Sequence, residues 1–146
     1  MPLDQSVLRR LSDVILEQQP LTLRASATIL EACQKMREYK AGSVLVVDGN
    51  GRLAGIFTGR DAVCRVLASG AEPNKSTLAN VMTLNPQTLS PEASTIDALR
   101  LMWDGGFRHL SLVRDGKVLG CVSRGDFKGI EHSRHEQKRD LWEHMR

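Results

Sequence analysis

Gly55-Ile56-Phe57-Thr58-Gly59-Arg60-Asp61 returns 65 residues later as Gly120-Cys121-Val122-Ser123-Arg124-Gly125-Asp126. A glycine, a hydroxyl residue and an aspartate keep the same spacing in both stretches. Each stretch stands where an apolar, strand-like run gives way to a helix-like one. The likeness spreads outward: Thr22–Met36 aligns with Thr88–Met102 at an offset of 66, matching Thr22/Thr88, Leu23/Leu89, Ala27/Ala93, Ala32/Ala98 and Met36/Met102. The offset drops to 65 between Val47 and Gly51, where Asp48-Gly49-Asn50-Gly51 is answered by the shorter turn Asp115-Gly116. Loops absorb such a change easily. Two units of this period are an internal pair, not a solenoid.

Each unit reads as a lead-in strand, a helix, two strands and a helix. Thr28-x-x-Glu31 predicts a capping box for the first long helix, and Ser94-x-x-Asp97 a weaker one for the second, Asp being shorter than Glu. Ile29, Ala32, Cys33 and Met36 line one helical face; Ile96, Leu99, Met102 and Trp103 line its counterpart. Hairpins follow at 43–57 and 110–122, the second with the tight-turn pair Asp115-Gly116. Asp61 and Asp126 then open the last helices, with Ala62, Val63, Val66 and Leu67 expected inside. An amphipathic helix over 5–17 (Val7, Leu8, Leu11, Val14, Ile15) precedes the first unit and ends before Pro20. The resulting division is 1–68 for this helix and the first repeat, 69–80 for a linker rich in Gly, Pro, Asn and Ser, 81–130 for the second repeat and 131–146 for a helical tail. Leu141, Trp142 and Met145 form an apolar stripe on that tail, suited to packing on the body or a sister chain, or to docking a partner.

Composition narrows the function. At 146 residues the chain can bury a real core. A net charge of +3, with scattered basic residues and few aromatics, argues against a nucleic-acid surface. Cys33, Cys64 and Cys121 sit in apolar runs without a CxxC pair, which predicts buried free thiols in a reducing compartment. There is no apolar stretch near 18 residues and no secretory leader, so a cytoplasmic protein away from the membrane is expected. Neither GxSxG, HExxH nor a Walker motif is present, so no catalytic residue is nominated. His132-x-x-His135 has metal-compatible spacing, but nothing completes a site and no metal is expected.

A carboxylate beside a strand–helix junction can accept two hydrogen bonds from vicinal hydroxyls, as acidic residues do with ribose in other nucleotide folds. Thr58 and Ser123 stand three residues before Asp61 and Asp126, and the turn between presents backbone N–H groups that suit an anion. Arg60, Arg124 and the pair Arg108-His109 could add phosphate contacts. The bland alternative is that Thr58/Asp61 and Ser123/Asp126 merely cap their helices, and that Arg108-His109 is a solvated strand edge.

These motifs, with Phe107-Arg108-His109-Leu110 and Val81-Met82-Thr83, resemble the tandem cystathionine-β-synthase (CBS) domain pair, or Bateman module, over about 14–130. Leu141-Trp142-Glu143 resembles the tails of small stand-alone bacterial members assigned to signal transduction. The resemblance implies an α+β, sandwich-like fold: two β-α-β-β-α halves related by a pseudo-twofold axis, with two clefts between them. It also implies a homodimer and an adenosine-containing regulatory ligand (AMP, ADP, ATP, S-adenosylmethionine or NAD(H)), with no catalytic cofactor. The first cleft would comprise Ile56, Thr58, Arg60 and Asp61, faced by Pro86, Gln87, Phe107, Arg108, His109 and Ser111. The second would comprise Cys121, Ser123, Gly125 and Asp126, faced by Pro20, Leu21, Thr22, Ala41, Gly42 and Ser43. Two departures stand out. Ala41-Gly42-Ser43 replaces Phe107-Arg108-His109, so the Asp126 cleft is expected to lack a cationic wall, and Ser111 and Leu45 stand where many members carry proline. The expected function is a non-catalytic nucleotide sensor acting on an effector protein. A ligand-free dimerisation or docking scaffold working through the tail is the alternative.

Overall fold

The computed structural model describes residues 9–16 and 18–144. After α1 (Leu11–Val14), the first half runs β1 (Thr22–Leu23), α2 (Ile29–Tyr39), β2 (Ser43–Val47), β3 (Leu53–Thr58), α3 (Gly59–Asp61) and a π-helical segment, Ala62–Leu67. The second half opens with α4 (Leu78–Val81) and β4 (Thr83–Leu84). It repeats the order as β5 (Thr88–Leu89), α5 (Thr95–Gly105), β6 (His109–Arg114) and β7 (Lys117–Ser123), then a 3-10 turn at Arg124–Asp126 and α6 (Gly129–His144). Val7 and Leu8 lie outside the described residues, as does the side-chain stripe at Leu141, Trp142 and Met145.

Local chemistry sets the elements. Asp115 and Gly116 both take positive φ (54° and 80°), the tight primed turn whose twist matches a hairpin. Ser94 and Asp97 form the full reciprocal cap: the Asp97 N–H donates to Ser94 Oγ (3.1 Å) and the Ser94 N–H to Asp97 Oδ2 (3.2 Å). At α2 only the forward bond forms, from the Glu31 N–H to Thr28 Oγ1. The shorter acid makes the better box here, reversing the expected ranking.

One sheet runs β1-β2-β3-β4 and the other β5-β6-β7. β1 is parallel to β2 and β5 to β6, as a helical crossover requires, while the hairpins are antiparallel. The hairpin tips meet: the Leu53 N–H donates to the Gly116 carbonyl (3.1 Å) and the Val118 N–H to the Gly51 carbonyl (3.2 Å).

The halves also exchange their leading segments. Leu11 precedes the first repeat yet is buried in the second core, with Ala98, Met102, Leu110 and Val122. Leu78 and Val81 open the second half yet are buried in the first core, with Ile29, Val44, Val46 and Phe57. Equivalent bonds pin both: the Leu11 N–H donates to the Ala93 carbonyl and the Leu78 N–H to the Ala27 carbonyl, each at 2.9 Å. Burying a leucine side chain contributes about 1.5–3 kcal/mol, so each crossing helix holds the halves together.

The segment after Asp61 departs from expectation. Its backbone bonds span five residues, with Ala68 donating to Val63 and Ala71 to Val66. This wider winding buries Val66 but leaves Val63 57% and Leu67 73% exposed. Asp126 opens only a 3-10 turn, and the helix starts at Gly129. Cys64 is exposed, and Cys33 and Cys121 are half-buried, correcting the expectation of three buried thiols; all three are free. No helix among the described residues is long and apolar enough to cross a membrane.

Candidate functional site

At the end of β3 the Thr58 N–H (2.9 Å) and hydroxyl (3.1 Å) both donate to Asp61 Oδ2, while the Asp61 N–H donates back to Thr58 Oγ1 at 3.3 Å. Beyond β7 the Ser123 N–H (2.7 Å) and hydroxyl (3.3 Å) make the same two bonds to Asp126 Oδ2. Both aspartates therefore cap their turns. Capping does not exhaust a carboxylate, which offers about four lone-pair positions on two oxygens. It fixes the orientation of the acid. The two differ at Oδ1: Asp61 lies 3.5 Å from Arg65 Nε, a pairing for which Asp126 has no counterpart among the ion pairs described.

Each turn is tied to the residue ahead of its own hairpin. The Gly59 N–H donates to the Gly42 carbonyl (3.1 Å) and the Arg124 N–H to the Arg108 carbonyl (3.2 Å). Gly42 and Arg108 in turn face the other half's motif.

One cleft of about 290 Å³ brings Ile56, Thr58 and Asp61 of the first half against Pro86, Gln87, Phe107, Arg108 and His109 of the second. Thr83, Asn85 and Gly105, which the sequence reading missed, complete it. Arg60 lines an adjoining cavity instead, and Ser111 is fully buried. The other cleft, of about 280 Å³, sets Cys121, Ser123 and Asp126 against Pro20, Leu21, Ala41, Gly42 and Ser43. Thr22 and Gly125 are not on its lining, whereas Gln18, Gln19, Tyr39, Lys40 and His109 are.

The 66-residue offset, carried beyond both ends of 22–36, was the missed signal: Asn85-Pro86 answers Gln19-Pro20, and Gly105-Gly106 answers Tyr39-Lys40. That last replacement makes the clefts unequal. The Phe107 ring fills the space that a side chain at Gly105 would take, whereas Tyr39 lines the Asp126 cleft, and Lys40 gives that cleft a cation it was expected to lack.

Among the described residues, His109 alone lines both clefts and the adjoining cavity. Burial lowers its imidazole pKa and Arg108 adds to that shift, against the pull of Asp126 and Asp61. Burial pushes the Cys121 thiol up, away from the thiolate a nucleophile needs. His132 Nε2 lies 3.1 Å from the Arg124 carbonyl, and the His135 ring meets Trp103 edge-on at 6.2 Å. Both histidines line one small cavity of about 150 Å³ with Trp103, Arg124, Glu136 and Arg139. No group of three or more metal-ligating side chains occurs among the described residues.

A duplicated α+β unit, with two clefts each shared between the halves, is a paired-repeat module. The CBS domain family matches residues 11–67 and again 78–131, and the chain belongs to that family. The CBS domain-containing protein CBSCBSPB2 of Arabidopsis thaliana is 36% identical over 102 residues, which are 70% of this chain and 19% of the relative. The chain thus spans about a fifth of the length of that curated relative. Among solved structures, the CBS-domain protein ATU1752 of Agrobacterium tumefaciens superposes with a TM-score of 0.71 at 29% identity, covering 80% of this chain and 94% of that one. The CBS pair of protein MJ0100, solved with 5′-methylthioadenosine and S-adenosyl-L-methionine, gives 0.72 at 25% identity, covering 81% and 95%.

Proposed function

We propose that the chain is a non-catalytic, cytoplasmic regulatory module. It binds adenosine-containing ligands (AMP, ADP, ATP, S-adenosylmethionine or NAD(H)) in its two clefts and, as a homodimer, passes their occupancy to an effector protein. One observation carries the reading: each cleft brings a hydroxyl–carboxylate pair of one half against a wall of the other, so a ligand in either cleft contacts both halves. Asp61 and Asp126 would hold ribose, and Thr58 and Ser123 the adjoining phosphate or ribose edge. The apolar wall of the first cleft, Ile56 with Pro86 and Phe107, suits a purine ring. The adenosine ligands bound by MJ0100 support the same class. Regulation requires that a ligand prefer one arrangement of the halves or subunits over another.

The test is a thermal-shift panel of adenosine, AMP, ADP, ATP, S-adenosylmethionine and NAD(H) on the wild type, Asp61→Ala and Asp126→Ala. A ligand at 100 times its Kd stabilises the folded state by about 2.7 kcal/mol. Each variant also loses its cap, so the quantity compared is the ligand-induced increment, not the starting midpoint. Loss of the increment in one variant identifies the occupied cleft. A panel that moves nothing favours the scaffold alternative.

A further inference from the structure

Helix α6 packs on α5, yet the side chains it buries are polar. Among its described side chains only Glu131 and His135 are buried. They stand at i and i+4 on one face, where a helix held by the hydrophobic effect carries an apolar stripe. Glu131 is anchored at the start of the helix by Arg9 and the Lys128 N–H. His135 lies one turn further on, 5% exposed, with its ring edge-on to Trp103 of α5. The Arg139 guanidinium lies over the same indole at 4.2 Å and that of Arg124 at 5.4 Å. Arg124 belongs to the turn that carries Asp126, and its carbonyl meets His132 Nε2. One cluster thus fastens α6 both to α5 and to that turn.

The charged groups facing His135 come from three elements: His132, Glu136 and Arg139 on α6 itself, Asp104 on α5, and Arg124 on the turn. Arg100 lies 3.8 Å from Asp104 and shares it. Two arginines set against two acids suit a neutral imidazole and disfavour a further cation. Burial lowers the His135 pKa; Arg139, Arg124 and His132 add to that shift, and Asp104 opposes it. We propose that this seam is an acid-released clasp, in which protonation of His135 frees α6 from Trp103 and from the Asp126 turn. The docked helix holds the imidazole neutral, whereas the freed helix exposes it to water, which solvates the charged form. The hold is therefore complete above about pH 6.5 and weakens as pH falls toward the docked value. Glu131, held below the usual carboxylate range, titrates lower, so the first turn of α6 stays pinned while the rest swings out. In the first half Asp61 runs directly into the π-helical segment, so the clasp belongs to the Asp126 side. It stands without the ligand reading above.

Hydrogen exchange of the full chain at pH 7.5 and 5.5, read by mass spectrometry and corrected for intrinsic rates, measures the opening of α6 with α2 as the internal reference. The opening constant over residues 132–144 should rise several-fold on acidification. The ceiling is about tenfold, because pH 5.5 lies only one unit below the ordinary histidine value. His135→Gln, which keeps a polar side chain without the titration, should remove that rise from α6 and leave α2 as in the wild type. Asp104→Asn keeps His135 and deletes the acid that favours its proton, so the response of α6 should be at least as large as in the wild type. This second variant carries the test if His135→Gln does not fold. Equal protection of α6 at the two pH values would overturn the clasp. So would an acid response that survives in His135→Gln, or one that shrinks in Asp104→Asn. Loss of the response from α2 and α6 together in His135→Gln would also overturn it, since the opening would then be global.

Discussion

The side chain of Gln18 pairs with the backbone of Cys121 as a neighbouring strand would. Its amide donates to the Cys121 carbonyl at 2.6 Å and its carbonyl accepts the Cys121 N–H at 2.7 Å. In the first half, backbone does this work, as β4 pairs Thr83 with Ile56 and Leu84 with Gly55. Cys121 answers Ile56, and Gln18 answers Leu84, in the two repeats. One glutamine therefore stands in for the fourth strand that the second sheet lacks. Gln18→Ala should cost about 1–2 kcal/mol, the worth of two modest hydrogen bonds partly replaced by water. Gln18→Glu should cost at least as much, because a carboxylate cannot donate to the Cys121 carbonyl. Urea unfolding midpoints check both, and an unchanged midpoint in Gln18→Ala would refute this role.

The same crossing explains why both motifs begin with glycine. A Cβ on Gly55 would stand 2.8 Å from the Thr83 carbonyl oxygen and from Met82 Sδ; one on Gly120 would meet Gln18 Oε1 at 2.9 Å and Ile15 at 3.0 Å. Backbone cannot retreat as side-chain ends can. Gly55→Ala should therefore destabilise by about 1–3 kcal/mol, the range for overpacking, and Gly120→Ala by less. Equal losses in thermal melts would count against this account. A Cβ at Gly42 would meet His109 Cε1 at 2.8 Å, also a side-chain end, so Gly42→Ala should spare stability while altering ligand affinity in both clefts.

Lys40 ends α2 in the left-handed region (φ 53°), where Gly106 ends α5 (φ 69°). Glycine adopts that conformation without the steric cost a side chain meets there. Lys40→Gly should raise stability by about 0.5–1 kcal/mol, and Gly106→Ala should lower it by a similar amount. Because Lys40 also lines the Asp126 cleft, its replacement should weaken anionic ligands there while leaving the Asp61 cleft unchanged. Calorimetric melting with and without ligand separates the two effects.

Acid should weaken the fold in two stages. His109 sits below its ordinary pKa, chiefly through burial, so the unfolded chain takes up a proton first. The stability this group contributes is complete above about pH 6.5 and is lost as pH falls below that value toward its folded pKa. His135, also lowered first by burial, acts in the same sense. Glu131 is 1% exposed, and burial opposes its charge. Arg9 Nη2 and the Lys128 N–H, each 2.7 Å from Oε1, outweigh burial and hold the carboxyl below its usual range. Its contribution is complete above about pH 4.3 and is lost as pH falls through the folded value. Glu131→Gln should remove the lower stage of a Tm–pH curve and His109→Asn should reduce the upper one. A wild-type Tm constant from pH 7.5 to 5 would contradict the histidine contribution.

Much of this was legible because it is local or repeated. Asp115-Gly116 requires a primed turn whatever surrounds it, Ser94 and Asp97 complete their cap within one turn, and the recurrence of the Thr58–Asp61 pattern at Ser123–Asp126 marks both halves. The burial pattern was less legible. Val63 and Leu67 are apolar, but the π winding turns them outward, and α6 buries the charged Glu131 because Arg9 arrives from the far end of the chain.

The amino-acid sequence by itself determined the duplication, the order of elements in each half, the CBS relationship and the hydroxyl–aspartate pairs, since each rests on residues a few positions apart or on one recurring offset. Tertiary structure alone decided that Leu11 and Leu78 cross into opposite cores, that Gln18 closes β7 and that His109 stands in both clefts. These contacts join residues far apart in sequence through the pseudo-twofold packing of the halves, and no local periodicity encodes which side chains meet across that axis.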